Sequence, residues 1–158
     1  MALAGGLVGT VVLTSGMRAA QELGLTRMDL PLLLGTIFTG DRARAAVIGY
    51  TLQFLNGLVF AGVYAFIFWA TGTAGWLFGG LLGVVQALFV GSALVYTLLP
   101  AINPRMGTAW TDAEENPLLE PPGFMLVNYG RHTALATIVA HVFYGAIIGG
   151  FAAHFGWS

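Results

Sequence analysis

Ionisable Asp, Glu, Lys and Arg are absent from three stretches of this chain: residues 1–17, 45–104 and 132–158 are built mainly of Leu, Val, Ala, Gly and Phe. A charge at the centre of a bilayer costs at least a few kcal/mol, so these are the segments that fit hydrocarbon. About 20 apolar residues at 1.5 Å each cover the roughly 30 Å of a membrane core. The middle stretch, Ala45 to Pro104, therefore holds two helices. They are expected at about Ala46 to Trp69 and Ala74 to Leu99, joined at Thr71-Gly72-Thr73. The last span is expected from about His132 to His154, with Phe155 and Trp157 as an interfacial anchor. The first, about Ala2 to Ala20, is long enough only if Arg18 snorkels outward. It has no basic leader and no A-x-A cleavage site, so it reads as a retained helix rather than a signal peptide. The expectation is an all-α polytopic membrane protein, residues 1–158 forming a single domain of four transmembrane helices.

Composition agrees: 57% of residues are hydrophobic and 8% charged, which excludes an ordinary soluble domain. Six Arg, no Lys and seven acidic residues leave a formal charge of −1, so no nucleic-acid partner is implied. The absence of Cys excludes disulfides, iron-sulfur clusters and thiolate metal sites. The charges fall in two windows. Arg18, Glu22, Arg27, Asp29, Asp41, Arg42 and Arg44 form the first; Arg105, Asp112, Glu114, Glu115, Glu120 and Arg131 form the second. Four crossings put both windows on one side, and because every Arg lies there, the positive-inside rule makes that side cytoplasmic with both termini outside. The expected location is a bacterial inner membrane.

The halves, about 1–73 and 74–158, look duplicated. Gly5-Gly6-Leu7-Val8-Gly9 matches Gly79-Gly80-Leu81-Leu82-Gly83, and Arg27-Met28 matches Arg105-Met106. Pro-led apolar stretches follow, Pro31 to Phe38 and Pro121 to Val127, and Val63-Tyr64-Ala65 answers Phe143-Tyr144-Gly145. The order is the same in both halves, which predicts two helix-loop-helix units in parallel orientation. Asp29 is placed to cap a helix with Pro31 in its first turn, too short to cross and expected to lie flat at the interface, with Phe124 to Tyr129 as its counterpart. Thr111 to Glu120 is the expected flexible loop.

Helices in lipid gain no hydrophobic energy from one another, so small residues and polar contacts decide their association. Gly79 and Gly83 form one GxxxG and Gly145 and Gly149 another. Tyr50, Gln53, Gly57, Ala61 and Tyr64 share a face of the second span; Ala134, Thr137, His141, Tyr144, Gly145 and Ile148 share one of the fourth; Thr10, Thr14, Arg18 and Glu22 align on the first. Counting from the charged ends, Thr10, Gln53 and His141 lie about 12 to 15 Å deep, and Gln86 falls near the middle of its span. Thr10, Gln53, Asn56, Gln86 and His141 therefore form a candidate midplane polar layer, serving either as interhelical hydrogen-bonding or as a binding site. His141 is the titratable member, as neutral partner, proton carrier or, least of all, haem ligand, since His132 points to the opposite face and His154 is near the far interface. Arg27, Arg42, Arg44, Arg105 and Arg131 are candidate lipid-phosphate contacts as well as topology signals. A Ser92–His141 dyad lacks any nucleophile or oxyanion motif, and no metal, phosphate-loop or dinucleotide fingerprint occurs.

Gly24-Leu25-Thr26-Arg27-Met28-Asp29-Leu30-Pro31, Phe54-Leu55-Asn56-Gly57 and Glu120-Pro121-Pro122-Gly123-Phe124 give the chain a resemblance to a group of small bacterial four-helix integral membrane proteins. That resemblance implies fold and membrane, and transfers no activity, ligand or residue role. The leading expectation is a non-enzymatic module, an accessory or scaffold subunit or a homo-oligomer, with membrane lipids and other membrane subunits or itself as partners. The alternatives are a small transporter or channel with a midplane site, or a subunit binding lipid, quinone or pigment in an electron-transfer complex. No cofactor is predicted, and haem, quinone and pigment stay open. What separates these readings is whether the polar faces meet around space or close onto each other.

Overall fold

A computed structural model describes residues 2–107 and 119–156; Trp157 and the acidic Asp112, Glu114 and Glu115 lie outside them. Four helices are long and apolar enough to cross a membrane: Ala2–Glu22, Arg42–Thr71, Trp76–Ile102 and Thr133–Phe155. The protein is all-α and polytopic, and among the described residues the only β feature is a single Met106–Leu119 bridge.

The first span is α1, Ala2–Glu22, and the short α2, Leu30–Gly35, follows a loop. Asp29 caps α2 by accepting from the Leu32 N–H, with Pro31 in the first turn where its missing N–H costs nothing. The second span, α3, is Arg42–Thr71. It starts earlier than the charge pattern suggests because Asp41 accepts from the Arg44 N–H and nucleates the helix among the arginines. Gly72, at φ 66°, ends α3 in the left-handed conformation a helix C-terminus favours.

The third span changes character along its length. Trp76–Phe89 is α-helical (α4), Val90–Leu98 is a π-helix, and Leu99–Ile102 (α5) completes it. Pro100 is the local cause: its ring cannot donate to the preceding turn and clashes with a carbonyl there, which a wider turn relieves. Thr97 Oγ1 donates to the Ser92 carbonyl and Ser92 Oγ to that of Leu88, occupying carbonyls around the wide turns. A 3₁₀ segment, Phe124–Tyr129, then leads to the last span, α6, Thr133–Phe155. Met125 and Leu126 sit at positive φ, 51° and 66°, and the strain is offset by burying Leu126 completely against Val95 and Leu99 of the third span.

α6 is the central helix. It packs on α4 along one side and α1 along the other, with α3 against α1. A Cβ on Gly79 would collide with the Gly145 carbonyl, and one on Gly149 with that of Gly75, so the two GxxxG motifs face each other with backbones in contact. α3 and α4 meet through side chains: Phe60 with Phe89 at 6.4 Å and Phe68 with Phe78 at 5.9 Å between ring centroids, and a hydrogen bond from Tyr64 to Gln86. The short α2 packs closely against α3. Its Gly35 abuts the Ala45 backbone and Gly49 of α3 abuts Pro31, so the two backbones interlock, with Pro31 and Leu33 buried.

The described charged residues of both windows gather at one end of the bundle, where the two loops are tied together. Arg27 pairs with Glu120 at 3.1 Å and donates to the Asn128 carbonyl, its N–H donates to the Tyr129 carbonyl, and the Thr26 and Thr133 hydroxyls bond at 2.8 Å. Asn103, buried, donates to the Leu33 carbonyl and Thr36 hydroxyl, and Arg105 donates to the Thr36 carbonyl. The end of the third span is thereby fastened to α2.

Candidate functional site

The polar faces of the four spans converge at mid-depth. Thr10 of α1, Gln53 and Asn56 of α3, Gln86 of α4 and His141 of α6 all line one cavity of about 30 Å³, together with Leu30 of α2 and Tyr144 of α6. Each is carried inward by its helix's 3.6-residue period. Gly57 lets α1 approach so closely that a Cβ there would overlap the Thr10 hydroxyl.

Part of this layer is closed by hydrogen bonds. Tyr64 donates to Gln86 Oε1 at 2.9 Å, Tyr144 to the Gly57 carbonyl at 2.5 Å, and Thr10 to the Gly6 carbonyl at 2.7 Å. His141 Nδ1 lies 2.8 Å from the Thr137 carbonyl. A carbonyl only accepts, so Nδ1 carries the hydrogen, and in the neutral ring Nε2 holds a free lone pair. Above these groups the bundle is sealed. Ala61, Phe68, Ile148 and Ala152 are wholly buried, and the Tyr64 and Tyr144 rings meet edge to face at 5.8 Å.

Toward the charged end the layer is open. A second cavity of about 30 Å³ shares Leu13, Leu30, Gln53 and His141 with the first and adds Thr14, Thr137, Arg18, Asp29 and Tyr50. Arg18, Asp29 and Tyr50 also line a recess of about 370 Å³ that includes Arg42. Three buried side-chain atoms have no partner: Thr14 Oγ1, Gln53 Oε1 and Thr137 Oγ1. All three residues line the second cavity, which has the volume of about two waters at 10–15 Å³ each. Polar groups set in mostly apolar walls thus extend from the arginine-bearing face to His141.

A larger opening of about 290 Å³ lies between α2, α3 and the π-helical segment, apolar except for Asn56, which it shares with the inner cavity. The remaining arginines surround the mouth of the bundle. Arg105 is engaged with α2 carbonyls and Arg27 with Glu120, Arg131 Nε donates to the adjacent His132 ring, and Arg42 and Arg44 stand in the exposed first turn of α3. Among them, Tyr129 is buried and donates to the Glu120 carbonyl; burial first, and then the Glu120 charge, push its phenol up to about 12, with Arg27 pulling the other way. Ser92 lines neither cavity that His141 lines.

Thr14 and Thr137 were visible as members of polar faces, but nothing in the sequence marked them as unpartnered. Tyr64 and Tyr144, visible in the sequence both as matching repeat positions and as members of the inward faces, hold the lid of the layer. Among the described residues no cluster of His, Asp and Glu is arranged to hold a metal ion. Neither protein families, curated proteins nor solved structures provide a match to this chain, so its chemistry is argued from this geometry.

Proposed function

We propose that this protein is a small transporter or channel-type membrane module, non-enzymatic, whose mid-depth polar site exchanges water-sized species with the arginine-bearing face. The observation that carries this reading is that the polar faces meet around space, and that three residues lining it, Thr14, Gln53 and Thr137, each hold a buried oxygen with no hydrogen-bond partner. Polar residues serving only to glue helices together satisfy one another, because an orphan buried group costs about 1–3 kcal/mol. By the positive-inside rule the open face is cytoplasmic in a bacterial inner membrane and both termini are outside. The edge-to-face pairing of Tyr64 and Tyr144, equivalent positions in the two halves, supports a duplicated origin.

The test is permeation by the purified chain in liposomes, read as osmotic shrinkage and as decay of a pH gradient. Gln53→Leu and His141→Leu should abolish the flux while leaving assembly intact; flux unchanged in both variants refutes the reading. An accessory or self-associating subunit is the second reading. It is favoured by an exposed apolar groove of about 520 Å³ between α1 and α6, whose walls include the small Gly16, Ala19, Ala20 and Ala136. Lipid is the partner suited to the apolar gap between α3 and the third span.

A further inference from the structure

We propose that His141 Nε2 is a proton-binding site, served by an ordered water that is reached from the arginine-bearing face alone. This deepens the permeation reading by naming the species the site takes. The groups to be satisfied are few and of definite kind. Gln53 Oε1 and His141 Nε2 can only accept; the Thr14 and Thr137 hydroxyls, both without partners, can donate. The four residues share one cavity, with Thr137 2% and Gln53 and His141 each 7% exposed. A water molecule, with two hydrogens and two lone pairs, can serve both kinds of group at once, and the Gln53 amide N–H and the hydroxyl lone pairs add to what it can bond.

A metal cation suits these walls less well. The groups facing His141 are Thr10 and Thr14 from α1, Leu30 from α2, Gln53 from α3, Gln86 from α4 and Tyr144 from its own helix, all uncharged. The nearest charged walls are Arg18 and Asp29 at the mouth, and the Asp29 carboxylate already caps α2. A metal ion would sit uncompensated at every pH, whereas the imidazole is charged only while protonated and loses that charge on release. Protonation then runs in one step. A proton from bulk water passes through the ordered water to the Nε2 lone pair, forming an imidazolium whose Nδ1–H stays on the Thr137 carbonyl and whose new Nε2–H is donated to that water. Nothing is oxidised or reduced, and release retraces the same route, because the bonded Tyr64–Gln86 pair and the packed core close the other side.

The experiment is solid-state ¹⁵N NMR of histidine-labelled protein in sealed vesicles of one orientation, with the pH on each side set independently. At neutral pH the His141 ring should carry hydrogen on Nδ1 with Nε2 bare. Acidifying the arginine-bearing side should convert Nε2 to N–H, and acidifying the opposite side alone should leave it unchanged. His141→Gln identifies the signal, and Gln53→Leu, which keeps the helical volume but removes one anchor of the water, should abolish the response over the same pH range. A bare Nδ1, a response to the opposite side, no response from either side, or a response untouched by Gln53→Leu overturns the proposal. One-sided protonation in vesicles that show no flux would keep this site and refute transport; flux with a silent ring would refute this site alone.

Discussion

The two ends of the bundle are built on opposite plans. At the end remote from the arginines, Gly75, Gly79, Gly145 and Gly149 bring α4 and α6 into backbone contact, and Phe68, Ile148 and Ala152 fill what remains. At the arginine end, α2 is wedged against α3, Pro100 widens the third span, and cavities run inward from Arg18 and Asp29 to His141. The described charges all lie at the arginine end, but charge by itself leaves no cavity between helices. What separates them is where small residues allow backbones to meet and where a proline and an inserted helix hold them apart, so one-sided access follows from packing rather than hydropathy.

The closed end should be the more sensitive to added volume. Gly79→Leu drives a side chain into the Gly145 carbonyl, and a loss of about 3 kcal/mol or more is expected in reversible detergent unfolding, at the upper end of overpacking costs. A loss below about 1 kcal/mol would mean the backbones are not in contact. The open end should respond far less. Gln53→Leu removes an acceptor that has no protein partner and bonds the ordered water alone, so stability should change by no more than about 1 kcal/mol while flux is lost. A larger destabilisation would show that Gln53 is bonded to protein and the cavity is closed. Tyr64→Phe, on the boundary, should cost about 0.6–1.7 kcal/mol, the range of interhelical hydrogen bonds in membranes.

The smallest expected effect concerns the tie across the charged face. Tyr129 ionises near pH 12 when folded and near 10 when unfolded, so its contribution is complete below pH 10 and is lost as pH rises from 10 toward 12. Alkaline unfolding curves of wild type and Tyr129→Phe should diverge in that window and run parallel below it.

The spans were legible because charge exclusion is a strong physical rule, and the common depth of Thr10, Gln53, Asn56, Gln86 and His141 was legible because helical rise converts sequence distance into depth. The wide turn at Val90–Leu98 was not. Leu99-Pro100 looked like the end of the span, where proline is ordinary, but the helix runs on to Ile102, with Leu99 buried in the same cluster as Leu126. Likewise, the length and capping of Pro31 to Gly35 do not reveal what it packs on; Gly49, fourteen residues beyond Gly35 on α3, admits its backbone against α3. Whether a buried hydroxyl finds a partner depends on helix rotations of a few degrees, which no periodicity encodes, and so Thr14 and Thr137 emerge only in three dimensions.

One-sided access is tested most directly with a single reporter thiol, since the chain has no cysteine of its own. Thr14→Cys, in sealed vesicles of one orientation, is pulsed with Ag⁺ from either side, quenched, denatured and alkylated with a maleimide. Ag⁺ from the arginine-bearing side should block alkylation and Ag⁺ from the other side should not; blocking from the far side, or from neither, would contradict the account.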